Sequence, residues 1–292
     1  MPSHLGQAEY ILQLWQSFGL DSGVVFEAGA AQPDYISNSL PFIDNGWHGL
    51  VCESDSDSCQ QWLALGNNRI EVLNEAIPYL PEGLDLTLKS LGAQTKGCDV
   101  LFLDIDGGEF HLLEGMSIVR PRLICVEHDN SFPINFEYVP RFIQHARQSS
   151  SAAMVKMMRS KGYLLLRSFF QDLIFIEESF ANIYSSRLSG SGIFGPFHAV
   201  QEISRGAYSY YSVLVNQEEP HGDRGVSFYR SKMEIVSADC PKDVANFFCA
   251  FLYKVMLDFS PVIEQLRSPD YYRAFASSLM ETKHSFIGFL LL

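Results

Sequence analysis

Paired cysteines, basic runs and long apolar stretches are all missing from this sequence, and each absence narrows what the chain can be. Its six cysteines (52, 59, 98, 125, 240 and 249) form no CxxC pair and no knot-like spacing, so a disulfide-built scaffold is excluded. Cys52, Cys98 and Cys125 lie in or beside apolar strand-like runs, where cysteine behaves as a small buried hydrophobe. Lysine and arginine total 21 against 34 acidic residues, a formal charge of −13. No basic face or stripe is visible, which argues against a nucleic-acid binder. The longest apolar stretch, Phe247–Leu257, is about half the length that spans a bilayer and contains Lys254. The opening MPSHLGQAEYILQLWQSFG lacks a basic region followed by an unbroken apolar core, so it does not read as a signal peptide. The expectation is a cytoplasmic protein with reduced thiols and neither nucleic acid nor membrane as partner.

What is present is a globular balance, 47% hydrophobic and 19% charged over 292 residues. Short apolar runs alternate with helix-like segments. Gly23–Glu27 and Gly49–Glu53 are both apolar runs that end in an acid. Arg69–Leu73, Asp99–Asp104 and Arg122–Glu127 follow, separated by helical segments such as Asp57–Leu65 and Glu109–Met116. Continuous apolar strands separated by helices are what a parallel sheet covered on both faces requires. This predicts an α/β fold with a doubly wound, mostly parallel sheet. Ser150–Lys161 has helical spacing and stops at Gly162; Tyr163–Arg167 and Leu173–Glu177 then read as an antiparallel edge pair. The linker-like SGSGIFGP at 189–196 suggests a main domain at 1–188 and a helical C-terminal extension at 189–292.

Four places carry the residues of chemistry. Glu27-Ala-Gly29-Ala30-Ala31 follows the first strand, where glycine lets the chain approach a ligand closely. Only one glycine is present, not the three of a dinucleotide fingerprint, and the preceding acid suits a cationic amino group rather than a phosphate. Glu53, at the end of the second strand, is placed to accept hydrogen bonds from ribose hydroxyls. Together they point to a phosphate-free nucleoside cofactor, which S-adenosylmethionine is. The third place, LFLDIDGGEFHLLEG at 101–115, sets Asp104 and Asp106 at the mouth of the fourth strand. Period-two alternation would aim both carboxylates to one side if the strand continues that far. Glu109 would then open the next helix, where its charge is favoured. The fourth is Val126-Glu127-His128-Asp129-Asn130. His128, with an ordinary pKa of roughly 6.5, is the preferred base, with Glu127 or Asp106 as alternatives. Asp104 and Glu127 are also a candidate pair for a hard divalent ion such as Mg²⁺, although acids at strand ends equally serve cofactor sites without metal.

With these residues in view, the chain resembles the class I S-adenosylmethionine-dependent methyltransferases and is similar to the FkbM-type family over about residues 20–180. LFLDIDGGEFHLLEG is the most specific stretch, continued in order by RPRLICVEHDNSFP, SSSAAMVKMMRSKGYLL and DLIFIEES. The resemblance implies a seven-stranded sheet with the last strand antiparallel. It implies that Glu27 and Gly29 meet the methionine end of the cofactor and Glu53 its ribose, with Ala30 and Ser54 also in the cofactor site. Asn74 and Glu75 would lie near the adenine, and Asp104 would border the sulfonium. The implied reaction is methylation of a hydroxyl on a small metabolite or natural product. Ala31, at the third position of the glycine turn, departs from the family pattern, and 189–292 has no counterpart; its aromatic content suits a lid or a homodimer surface. Two other readings compete. A nicotinamide-dependent oxidoreductase is opposed by the missing phosphate turn. A non-catalytic module that keeps the cofactor fold is opposed by the intact Glu27, Glu53, Asp104 and Glu127.

Overall fold

The computed structural model describes residues 6–184 apart from 36, 131, 133–135, 142–146 and 170. The expected boundary at 188 and the extension at 189–292 lie outside the described residues. The elements run α1 (Gln7–Ser17), β1 (Val24–Ala28), α2 (Leu40–Asp44), β2 (His48–Glu53), α3 (Ser56–Ala64), β3 (Ile70–Asn74), α4 (Gly83–Ser90), α5 (Ala93–Lys96), β4 (Val100–Leu103), α6 (Glu109–Gly115), β5 (Leu123–Glu127), α7 (Ser151–Ser160), β6 (Tyr163–Phe169), β7 (Asp172–Glu177) and α8 (Glu178–Ile183).

The strands form one seven-stranded sheet in the order β3-β2-β1-β4-β5-β7-β6. β3, β2, β1, β4 and β5 pair in parallel, whereas β7 runs antiparallel to both β5 and β6. This is the sheet expected from the sequence, including the reversed last strand.

Why the strands read as unbroken apolar runs is visible in the packing. Successive residues of β4 and β5 alternate between two separate cores. Leu101, Leu103, Ile124 and Val126 join Phe26, Leu84, Leu112, Met154 and Met158 on one face. Val100, Phe102, Leu123 and Cys125 join Ile11, Trp15, Phe42, Trp62 and Phe180 on the other. With helices on both faces, neither set of alternate positions meets water. Each large side chain so buried stabilises the fold by about 1.5–3 kcal/mol. Local signals fix the helix starts. Asp55 caps α3 by accepting from the Ser58 N–H at 2.8 Å, and Ser150 caps α7 by accepting from the Ala153 N–H at 3.3 Å. Gly162, at φ 80, ends α7 in the left-handed conformation that suits glycine. The carboxyl ends of β1, β2, β4 and β5 therefore open at one edge of the sheet, beside the start of the antiparallel β7.

Candidate functional site

At this edge a cavity of about 450 Å³ is lined by Gly29, Ala31, Cys52, Glu53, Ser54, Glu75, Ala76, Ile77, Tyr79, Asp104, Ile105, Asp106, Glu127, Gln171 and Asp172. That size is within the range of small-molecule sites, roughly 300–1,000 Å³. Six of these residues are acidic, and among the described residues no lysine, arginine or histidine lines it.

The turn after β1 is pinned from beneath. The Gly29 N–H donates to the Cys52 carbonyl at 3.0 Å, and the Ala31 N–H donates to Glu53 Oε2 at 2.8 Å. Trp62 Nε1 donates to the Ala31 carbonyl at 2.9 Å. Glu53 also accepts from the Asp55 N–H at 2.8 Å and from Ser54 Oγ at 3.2 Å, so it ties the ends of β1 and β2 together while facing the cavity. Gly29 has a more immediate reason than ligand approach. Its φ is +75, and a Cβ there would stand 1.7 Å from the Asp104 carbonyl oxygen. The glycine makes room for the neighbouring strand end.

β4 stops at Leu103, so strand alternation does not reach Asp106. Instead Asp106 sits at φ 60, ahead of Gly107 and Gly108, both also at positive φ. The turn still delivers the expected convergence: Asp104, Asp106 and Glu127 each bring a carboxylate oxygen within 4.8 Å of the others. Glu109 opens α6 as expected, but its Oε1 turns back to accept from the Gly107 N–H at 2.7 Å and the Ile105 N–H at 3.3 Å. Three acids at this spacing can gather a hard cation, and they suit equally the positive part of an organic ligand. Nothing else among the described residues singles out a metal.

On β5, Glu127 is half-buried and held by two amides, Gln148 Nε2 at 2.6 Å and Gln171 Nε2 at 3.3 Å. Burial, and next the charges of Asp104 and Glu109, push its carboxyl up to about 9. Across the antiparallel ladder its register partner is Asp172, which burial and then the Asp104 charge raise to about 7. Burial likewise lifts Glu109 to about 7, against the backbone N–H bonds that lower it.

Four of the residues expected from sequence stand away from the cavity. His128 is fully buried: its Nδ1 lies 2.6 Å from the Gln171 carbonyl, and burial pulls it down to about 4. Just past the end of β5, it turns back on the Gln171 carbonyl, which also accepts from its backbone N–H at 2.8 Å, so the imidazole expected as base does not reach the ligand space. Glu27 is 2% exposed. Its carboxylate accepts from the Asn38 N–H at 2.7 Å, the Ser39 N–H at 2.9 Å, and the Ser37 and Ser39 hydroxyls; it organises the loop before α2. Burial raises its pKa, and these bonds offset part of the rise. Ala30 is buried in the core beside Trp62. Asn74 braces the end of β2, donating to the Glu53 and Ser54 carbonyls at 3.1 and 3.2 Å. Gly29, Glu53, Ser54, Glu75, Asp104, Asp106 and Glu127 do line the cavity. Sequence reasoning missed Tyr79, Ile77, Gln171 and Asp172, the first two forming an apolar wall next to Glu75.

Among the described residues no helix is long and apolar enough to cross a membrane. No family profile matches the chain, and no curated protein matches it. Three solved structures are similar over part of the chain. Monomeric WbdD is 15% identical, with a TM-score of 0.39, over 59% of this chain and 41% of its own. The Burkholderia thailandensis 1,6-didemethyltoxoflavin-N1-methyltransferase, bound to 1,6-didemethyltoxoflavin and S-adenosylhomocysteine, is 14% identical with a TM-score of 0.37, over 58% and 74%. The N-terminal domain of EvdMO1, in the presence of S-adenosylhomocysteine and D-fucose, is 12% identical with a TM-score of 0.36, over 58% and 81%. The chain thus spans less than half the length of the WbdD chain.

Proposed function

We propose that this protein is an S-adenosylmethionine-dependent methyltransferase acting on a small molecule. The observation that carries the reading is the chemistry of the cavity wall, which is rich in hydrogen-bond acceptors and negative charge and has no basic side chain among the described residues. A ligand that fits must bring donors and positive charge. S-adenosylmethionine has ribose hydroxyls, an adenine amino group, an ammonium and a sulfonium, and no phosphate. A nicotinamide dinucleotide would instead set its pyrophosphate against Glu53, Glu75 and Asp104. The turn amides that would cradle a phosphate are already bonded, Gly29 to Cys52 and Ala31 to Glu53.

In this reading Glu53, whose carboxylate oxygens keep free acceptor sites, holds the ribose. Ile77 and Tyr79 flank the adenine beside Glu75. Asp104 faces the positive centre. The cofactor, when bound, supplies an electrophilic methyl group. The protein's part is to align the acceptor and take its proton. Asp106 lines the same cavity and takes the role in place of His128, while Glu127, held protonated by burial, lies beside it. The acceptor atom implied by the family resemblance is a hydroxyl oxygen.

Calorimetry on the full chain tests the proposal. S-adenosylhomocysteine should bind and NAD should give no heat, and a labelled methyl group should then pass from S-adenosylmethionine to members of a small-metabolite panel. Binding of NAD with none of S-adenosylhomocysteine would reverse the assignment.

A further inference from the structure

Among the described residues only Ala31 and Asp106 hold a positive φ without being glycine, at 47 and 60, and both line the cavity. In a residue with a Cβ that backbone costs free energy and persists only where the surroundings enforce it. Each of the two turns is stapled by one glutamate. Glu53 takes the Ala31 N–H at 2.8 Å and faces the cavity itself. Glu109 is not among the lining residues and is 1% exposed. Its Oε1 accepts from the N–H on either side of Asp106, Gly107 at 2.7 Å and Ile105 at 3.3 Å. Little else holds this stretch: Asp106, Gly107 and Gly108 follow one another at φ 60, 132 and 92, and the Gly108 N–H reaches the Arg147 carbonyl at 3.4 Å. Gly107 is buried, so water does not stand in for a lost acceptor. The second oxygen of Glu109, Oε2, has no hydrogen-bond partner. A methionine of similar size would fill the same space without desolvating that oxygen. What it could not supply is an acceptor for the two amides.

We infer that Glu109 is a positioning residue for the methyl transfer: through the two amides that flank Asp106 it locks that residue in the left-handed conformation which presents its carboxylate to the acceptor. The inference rests on the methyltransferase reading and assigns the group that prepares its base. In the locked turn the Asp106 carboxylate stands within 4.8 Å of those of Asp104 and Glu127. A return of residue 106 to negative φ would redirect its Cβ and take the carboxylate out of that group. A base held in place before the acceptor arrives needs no reorganisation at the moment of proton transfer. The cofactor side does not depend on this clamp. The Asp104 N–H is tied to the Ala28 carbonyl at 3.1 Å, and Glu53 is fixed by the Ala31 and Asp55 amides. Loosening Glu109 therefore acts on turnover and leaves cofactor affinity alone. The property that matters is the reach of one accepting oxygen, not the charge of the carboxylate.

Two substitutions in the full chain separate reach from charge. E109Q keeps an accepting oxygen at the same distance and removes the charge, whereas E109D keeps the carboxylate and falls one methylene short. In amide hydrogen exchange followed by NMR, the Gly107 N–H should exchange within about threefold of the parent in E109Q and about tenfold or more faster in E109D. S-adenosylhomocysteine affinity, read by calorimetry, should stay within about twofold in both. With a member of the small-metabolite panel that the parent methylates, kcat should fall about tenfold or more in E109D, with KM within about twofold, and hold within about threefold in E109Q. E109D should add little to D106N, because both act through one carboxylate. Unaltered exchange in E109D overturns the inference whatever kcat does. Faster exchange with unchanged kcat also overturns it, since Glu109 is then a structural staple. A loss in E109Q equal to or above that in E109D overturns it too, since the charge is then what counts. A parent that binds no S-adenosylhomocysteine fails the methyltransferase reading instead, and the exchange arm still decides whether Glu109 clamps the turn.

Discussion

A single methyl group added at residue 29 would land 1.7 Å from the carbonyl oxygen of Asp104, and that contact links the first strand's turn to the acidic mouth. The backbone there is left-handed at φ +75, which by itself costs a substituted residue on the order of 1–3 kcal/mol. Overpacking against a strand end adds about 1–3 kcal/mol more. Gly29→Ala should therefore lower the thermal midpoint by several degrees and weaken S-adenosylhomocysteine binding in calorimetry. A variant as stable as the parent would show that the two strand ends are free to part. At this scale the sequence was half legible. The acids at strand ends were readable because an apolar run that stops at Glu53 or Asp104 marks the point where the chain leaves the sheet. The role of Glu27 was not, because its partners Ser37, Asn38 and Ser39 lie in a loop that no periodicity describes. Glu127 and His128 were both candidates, yet only Glu127 lines the cavity, while His128 is turned onto the Gln171 carbonyl just past the strand end.

Among the elements, α7 shows how one side chain joins helix, loop and sheet edge. Ser150 Oγ accepts from the Ala153 N–H and also from the Tyr138 N–H at 2.8 Å, and the Ser150 N–H donates to the Tyr138 carbonyl at 2.9 Å. The residue is fully buried. Ser150→Ala leaves two amide donors without an acceptor where water does not reach, so the loss should be about 1–3 kcal/mol. The exposed cap Asp55→Ala on α3 should cost less, because water replaces the carboxylate. Denaturant titration of the two variants measures the order, and an Asp55 loss equal to or above the Ser150 loss contradicts it. Elements were the most readable level of this chain. All seven strands were expected close to where they lie: burial on both faces writes β1, β2, β4, β5 and β7 as continuous apolar runs, while β3 and β6, less buried at the sheet edges, show through alternation and position. Register was not readable. Asp172 looked like part of a turn, and only the antiparallel pairing of β7 on β5 sets it opposite Glu127.

For the whole molecule, the buried acids make stability a function of pH. Glu109 and Asp172, lifted by burial to about 7, and Glu127, lifted by burial and the charges of Asp104 and Glu109 to about 9, all hold protons in the folded chain that the unfolded chain has released by pH 5–6. A folded state that binds more protons loses stability as pH rises between the unfolded and folded pKa values. His128 works in the opposite sense. Burial pulls it to about 4, so stability is lost as pH falls from about 6.5 toward 4. The two effects overlap below neutrality. From pH 7 to 9 Glu127 gives up the larger part of its proton, while Glu109 and Asp172 release what remains of theirs. The slope there is bounded by about 1.4 kcal/mol per pH unit for one group. At roughly 2–4 °C per kcal/mol for a domain of this size, the thermal midpoint should fall by several degrees across that interval. Glu127→Gln keeps the shape and cannot ionise, so its midpoint should fall less than the parent's from pH 7 to 9 and exceed the parent's at pH 9. If the two profiles descend in parallel, Glu127 is already charged at neutral pH.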